Sequence, residues 1–289
     1  DQRAPGVQHQ FPSRDFATAI RSRRHFLTHM YVSRSQRQTL ENIRADHGNP
    51  ALAFYHKLVL VHSMRASLDR MVPGAFAPGI VEKLNAWYAR VLDDMTRQPD
   101  TYYDLACRDF IYDIGVCALR SLPVGGAWFI QIRRIGFRSL QTWHMFRLAR
   151  VLGYLAFRTR GVTPFCVIHT FPRYLPRFTP CRMHAAYRQI GEVIRHNPRI
   201  RGIYRRSWLL DPKLADVSPN LMYLADVPRQ HGAVLFKAAT LPLDISCAIA
   251  NSPHRQALYK SGAYNPAAYA YLWPKKELLQ WLDSEADDA

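Results

Sequence analysis

The sequence predicts an α+β protein, with a mostly helical N-terminal half packed on a smaller mixed α/β C-terminal layer. Three observations lead there. Helix-period apolar patterns fill the stretch from residue 51 to residue 122. After Gly161, short β-branched or aromatic runs alternate with helices that start at a hydroxyl followed by proline. From Asp113 to Asp211 lie seventeen arginines, no lysine and one acid, Glu192. A chain of 289 residues can hold two modest cores, and the division is expected as a helical domain over 1–160 and an α+β domain over 161–289.

The opening residues read as a polar, basic arm and 15–42 as a helix, which Asp46-His47-Gly48-Asn49-Pro50 interrupts. From Ala51 to Met71, Phe54, Leu58, Val61, Arg65 and Leu68 recur at helical spacing and are expected to form a core stripe. Pro73-Gly74 ends that helix. Ile80 to Met95 is a second one, with Glu82 in its first turn and Val81, Leu84, Trp87, Val91 and Leu92 as its core face. A third is expected from Asp100 to Leu122, closed by Pro123-Val124-Gly125-Gly126. Ala127 to Ile135 stays open between strand and helix. Phe137 to Arg160 is helical by period, with Trp143, Arg147, Arg150, Tyr154 and Arg158 in one exposed stripe. Thr179-Pro180, Ser218-Pro219 and Ser252-Pro253 each set a hydroxyl at the N-cap and proline at the first helical position. Strands are predicted at Phe165–Ile168, Ile200–Tyr204, Ala233–Lys237 and Tyr269–Trp273, and Gly262 closes a helix.

Net charge is +17, from 32 arginines and 7 lysines against 22 acids. Codon bias in a GC-rich genome raises arginine over lysine but does not produce the charge. The charge favours acidic partners: an anionic small molecule, an acidic carrier protein, nucleic acid or an anionic membrane surface. Five cysteines, an odd number without CxxC spacing, argue against a disulfide framework and a zinc knuckle. A reduced, cytoplasmic setting is the expectation. Apolar runs are broken by arginine before the roughly 20 residues that a membrane span needs.

His25 and His29 have helical ligand spacing but no HExxH glutamate, and His169, His184 and His196 fit no ligand pattern. No metal is expected. Walker, GxGxxG and GxSxG motifs do not occur. The densest chemical stretch runs from Arg199 to Pro212. Gly202 would admit a ligand or another backbone, and Arg201, Arg205 and Arg206 suit a pyrophosphate or carboxylate. Asp211 is a base, an orienting carboxylate or a turn cap. Strand alternation and the turn at Asp211-Pro212 predict that Arg201, Arg205, Ser207 and Asp211 converge, with His169 or His184 as base.

Phe54-Tyr55-His56 with Leu60 and His62, Ala106-Cys107 with Asp109, Gly136-Phe137, Leu140-Gln141 and Trp143 follow one another in a familiar order. Over this span the chain resembles the helical N-terminal domain of serine acetyltransferases. The resemblance implies a helical oligomerisation domain, hence a homo-oligomer. It does not extend to that family's hexapeptide-repeat half: nothing after Gly161 repeats at that period, and Val167-Ile168-His169-Thr170 lacks the expected aspartate. The C-terminal half resembles a pattern of uncharacterised bacterial proteins in His169-Thr170, Ser207-Trp208, Asp211-Pro212, Gly232-Ala233 and Trp273-Pro274.

An acyltransferase-like enzyme is the resulting expectation. Its donor would be acyl-CoA as a co-substrate or an acyl carrier protein, with no tightly bound cofactor. The layout of the C-terminal half permits an acyl-CoA N-acyltransferase-like fold, by analogy of architecture. The alternative is a non-catalytic basic module that binds nucleic acid or an anionic membrane surface.

Overall fold

Glycine and proline set where the N-terminal helices bend and stop. The computed structural model describes residues 34–135, 151, 153–159, 161, 164–171 and 178–287. Helix α1 (Arg34–Leu68) is two helices joined at Gly48, whose φ of 79° breaks the helical path just before Pro50. Helix α2 (Ile80–Arg97) starts after Gly79, also at positive φ. In place of one helix from Asp100 to Leu122 there is a 3-10 turn, Asp100–Tyr102, and a ten-residue helix α3, Arg108–Cys117. The expected helices over 15–33 and 137–150 lie outside the described residues, as do Trp143, Arg147 and Arg150.

The remaining elements form a layered α+β unit. Strands β1 (Leu122–Gly125) and β2 (Trp128–Arg133) are a hairpin turned by Gly125 and Gly126. Strand β3 (Phe165–Thr170), helix α4 (Pro180–His196) and strand β4 (Gly202–Ser207) make a βαβ unit. Short helices α5 (Leu214–Val217) and α6 (Tyr223–Gln230) lead to β5 (Val234–Lys237). Helices α7 (Pro242–Ile249) and α8 (Pro253–Lys260), strand β6 (Tyr269–Pro274) and helix α9 (Lys275–Asp287) complete the chain. The strand order is β1-β2-β3-β4-β6-β5, with β3 and β4 parallel and every other pair antiparallel. The sheet therefore crosses residue 160: β1 and β2 precede it and pair with the strands that follow.

Two cores lie on opposite faces of the central strands. Cys166, Ile168, Ile203, Tyr271 and Trp273 join the larger one, shared with α1, α2, α3, α4 and α9. Their neighbours Phe165, Val167, Tyr204, Ala270 and Leu272 join the smaller one with Val151 and Leu155. That alternation is the period of two that strands impose.

On α1 the predicted core face is corrected. Phe54, Leu58, Val61 and Leu68 are exposed, Phe54 by 64%, and the buried residues are Leu52, Ala53, Leu60 and Met64. On α2, Leu84, Trp87 and Val91 are buried as expected, but Val81 and Leu92 are exposed. Two apolar stripes fit the helical period in α1, and only the position of the neighbouring helices selects one. Thr179 and Ser252 cap α4 and α8 as predicted, accepting from the backbone N–H of Arg182 and Arg255. Ser218 instead donates to the carbonyl of Val217 and accepts from Arg255 Nη1.

His56 of α1 is buried against Phe110, with Nδ1 on the carbonyl of Tyr103. Burial holds its pKa below the usual histidine value. The folded chain thus resists a proton that the unfolded chain accepts near pH 6.5. Stability from neutral His56 is present in full above that pH and falls as the pH drops below it. Urea unfolding between pH 7.5 and 5 should show a loss of stability that His56→Gln reduces. An equal loss in the variant would mean that other groups set the acid response.

Candidate functional site

Along the parallel pair, β3 and β4 are joined at Cys166–Ile203 and Val167–Tyr204 only. Both strands continue, β3 to Thr170 against β2 and β4 to Ser207 against β6. Each is held by its outer neighbour while the inner ladder stops at Val167–Tyr204, which leaves a wedge-like interruption between the two strand ends. Helix α4 starts close to it, ten residues after β3.

Four of the eight predicted site residues lie on these strand ends: His169 on β3, and Arg205, Arg206 and Ser207 on β4. His169 stacks on Phe129, ring centroids 5.3 Å apart. Ser207 Oγ accepts from the N–H of Leu209 and starts a 3-10 turn. Arg206 turns to the smaller core, where Asp244 of α7 and the carbonyl of Ala239 hold it. Arg205 turns to the other face, beneath the first turn of α4, and is 2% exposed.

The other four lie elsewhere. His184 of α4 pairs with Glu285 of α9 at 3.0 Å beside Trp281. Buried Asp211 accepts from the N–H of Lys213 and of Ala267, so both oxygens fasten the chain after β4 to the segment before β6. Arg201 precedes β4 and bonds through its backbone to Pro164 and Lys275. At Gly202 the close neighbour is another backbone, the carbonyl of Trp273, and not a ligand.

The guanidinium of Arg205 has unusual surroundings. Nη1 reaches Met183 Sδ at 3.8 Å, the Tyr187 and Tyr271 hydroxyls also lie within hydrogen-bonding reach of the guanidinium, and Nη2 has no hydrogen-bond partner among the described residues. Beside it, the Tyr271 hydroxyl donates to that of Tyr187, which donates to the carbonyl of Leu224. Burial raises the pKa of both phenols, and the Arg205 charge works against the rise. Tyr223 is pushed up to about 12 by burial, again opposed by Arg205. These aromatic partners were not predicted. The available signal was the Thr179-Pro180 cap, because helical spacing from it places Met183 and Tyr187 on one face of α4.

A second basic feature lies on the outer side of α4. A groove of about 460 Å³ is lined by Lys83, Gly125, Gly126, Arg182, Arg188 and Gln189, among others. Lys83 Nζ donates to Gln189 Oε1 at 2.8 Å. Arg182 and Arg188 are exposed and have no ion-pair partner among the described residues. The predicted Arg158 contact surface is different: Arg158 pairs with Glu277, and Tyr154 packs edge-on against Phe236.

All five cysteines are free. Among the described residues no group of three or more His, Cys, Asp or Glu side chains is placed to hold a metal ion. No helix among them is long and apolar enough to cross a membrane.

Fold and site thus define an α+β protein built on a mixed six-stranded sheet with an interrupted parallel pair. No protein-family model matches the chain, and no curated protein does. Among solved structures it is similar to an acyltransferase crystallised with decanoyl-CoA and teicoplanin, at 12% identity and a TM-score of 0.47. That likeness covers 92% of this chain and 81% of the other.

Proposed function

We propose that the protein is an acyltransferase-like enzyme whose donor is an acyl thioester of coenzyme A or of an acyl carrier protein. The wedge between β3 and β4 is the observation that carries this reading. Both donors present the same pantetheine arm, an extended chain with two amide groups. Such a chain can enter between two strand ends as an added strand and bond to peptide groups along their edges. An acceptor amine or hydroxyl then attacks the thioester carbonyl, the C–S bond breaks, and the thiol leaves with the proton taken from the acceptor. Positioning, oxyanion donors and one base suffice for that step. His169, near the end of β3, is the base in this reading.

The groove with Arg182 and Arg188 suits the acidic face of a carrier protein. It also supports a second reading, a basic module that binds nucleic acid, for which affinity would fall steeply with salt.

Hydrogen exchange with butyryl-CoA tests the first reading. The amides of residues 168–170 and 205–207 should gain protection on binding. Protection confined to the groove, or no binding at all, would overturn it.

A further inference from the structure

We propose that Arg205 is the receptor for a ligand carboxylate at the apex of the β3–β4 wedge, a proposal that rests on the acyl-donor reading for what fills the wedge. Arg205 is the first residue of β4 beyond the last register pair, Val167–Tyr204. Its backbone stands at the apex, and its guanidinium lies to the α4 side of it, beside Met183.

Arg90 and Arg206 are matched by acids, Asp94 with Asp113 and Asp244 respectively, and half-buried Arg255 is held by the Ala248 carbonyl and Ser218 Oγ. No carboxylate among the described residues pairs with Arg205. The acids outside the described residues are Asp1, Asp15 and Asp288, and none of them lies in 114–191. Tyr187 and Tyr271 offer only hydroxyl dipoles, their protons already given to each other and to Leu224. A guanidinium removed from water without an opposite charge is disfavoured, and a bound anion would relieve the cost.

Two further donors on the same side of the sheet also lack a partner among the described residues: Trp128 Nε1 and the Tyr223 hydroxyl. Phe178 joins their rings, at centroid distances of 4.8 Å from Trp128 and 6.4 Å from Tyr223. Guanidinium and indole are donors without acceptor capacity, so an acceptor is what the group needs. A carboxylate offers two coplanar oxygens to the guanidinium fork. The aromatic surroundings favour it over phosphate, which would carry a second charge into an apolar site. The carboxylate could belong to the acyl group of the donor or to the acceptor.

Isothermal titration with two matched pairs of probes separates these sources. Succinyl-CoA and butyryl-CoA have four-carbon acyl groups that differ in a terminal carboxylate. Phenylalanine and phenethylamine differ in the same way as acceptors, with a ring suited to the aromatic lining. For at least one pair, the carboxylate member should bind the wild-type protein at least tenfold more tightly. Arg205→Met should make the members of that pair equal, and Arg205→Lys, which keeps charge but not the fork, should fall between. The melting temperature of Arg205→Met should equal or exceed that of the wild type, because an unpaired buried charge is removed. Absence of discrimination in both wild-type pairs would overturn the proposal. So would a sharply lower melting temperature in both variants, which would make Arg205 a structural cation. If both CoA thioesters bind equally and the amino-acid pair is not discriminated, Arg205 is wrongly assigned while the donor reading stands. If neither thioester binds but phenylalanine is preferred through Arg205, the donor reading fails and the receptor stands.

Discussion

Replacing Asp113 by alanine is expected to cost about 3–5 kcal/mol of stability, the usual penalty for stripping one partner from a buried ion pair. Asp113 is 1% exposed and sits at the centre of the helical half. Arg90 of α2 bonds both of its oxygens, Trp87 Nε1 donates to Oδ1 at 2.9 Å, and the Tyr102 hydroxyl donates to Oδ2. Burial pushes the Asp113 carboxyl up, while Arg90 and the neutral donors pull it back. Arg90 also bonds Asp94 at 2.7 Å and lies over the ring of Trp87, 4.7 Å from its centroid. With Asp113 gone, Arg90 keeps one acid, and the indole and phenol lose their acceptor. Urea titration followed by circular dichroism reads the loss. A change below about 1 kcal/mol would show that the network is not needed. Removing both charges, as Arg90→Met with Asp113→Leu, should cost less than the single change, since no orphan charge remains.

Gly202→Ala is expected to be of comparable severity for the sheet, at least about 3 kcal/mol from backbone strain and overpacking together. Gly202 has φ of 148°, and a Cβ there would stand 2.2 Å from the carbonyl oxygen of Trp273. It would also stand 3.0 Å from Pro274 Cα and from the backbone nitrogen of Lys275. All three are backbone atoms of β6 or of the start of α9, so no side chain can swing aside. The Lys275 N–H bond to the Arg201 carbonyl, 2.9 Å long, would be displaced with them. The same titration checks this variant, and a midpoint equal to that of the wild type would contradict the close approach.

Punctuation was the most legible part of the chain. Proline after a capping hydroxyl located the starts of α4 and α8, Gly262 the end of α8, and Gly48 with Pro50 the bend of α1. Four predicted strands became β3, β4, β5 and β6, and β4 pairs with β6 as the architecture required. These features are local: a cap, a φ preference or an alternation acts within a few residues. Strand β2 was ambiguous because Trp128–Arg133 is apolar on both faces until Gln131, and a run buried on both sides carries no alternation. Of the eight residues singled out from the sequence, four lie at the ends of β3 and β4. His169, Arg205, Arg206 and Ser207 reached the wedge, but the pattern of arginines did not tell a paired cation from an unpaired one.

The amino-acid order settled the starts of α4 and α8, four of the six strands and the excess of arginine, because each is a property of neighbouring residues. It could not settle which apolar stripe of α1 is buried, or that adjacent Arg205 and Arg206 meet opposite environments. Those outcomes depend on partners remote in sequence. Asp244 is 38 residues from the arginine that it neutralises, and Glu277 is 119 residues from Arg158. Solvation and counter-charge come from whatever packs against a side chain, so folding alone makes one of two neighbouring guanidiniums an ion-pair member and leaves the other without an acid among the described residues.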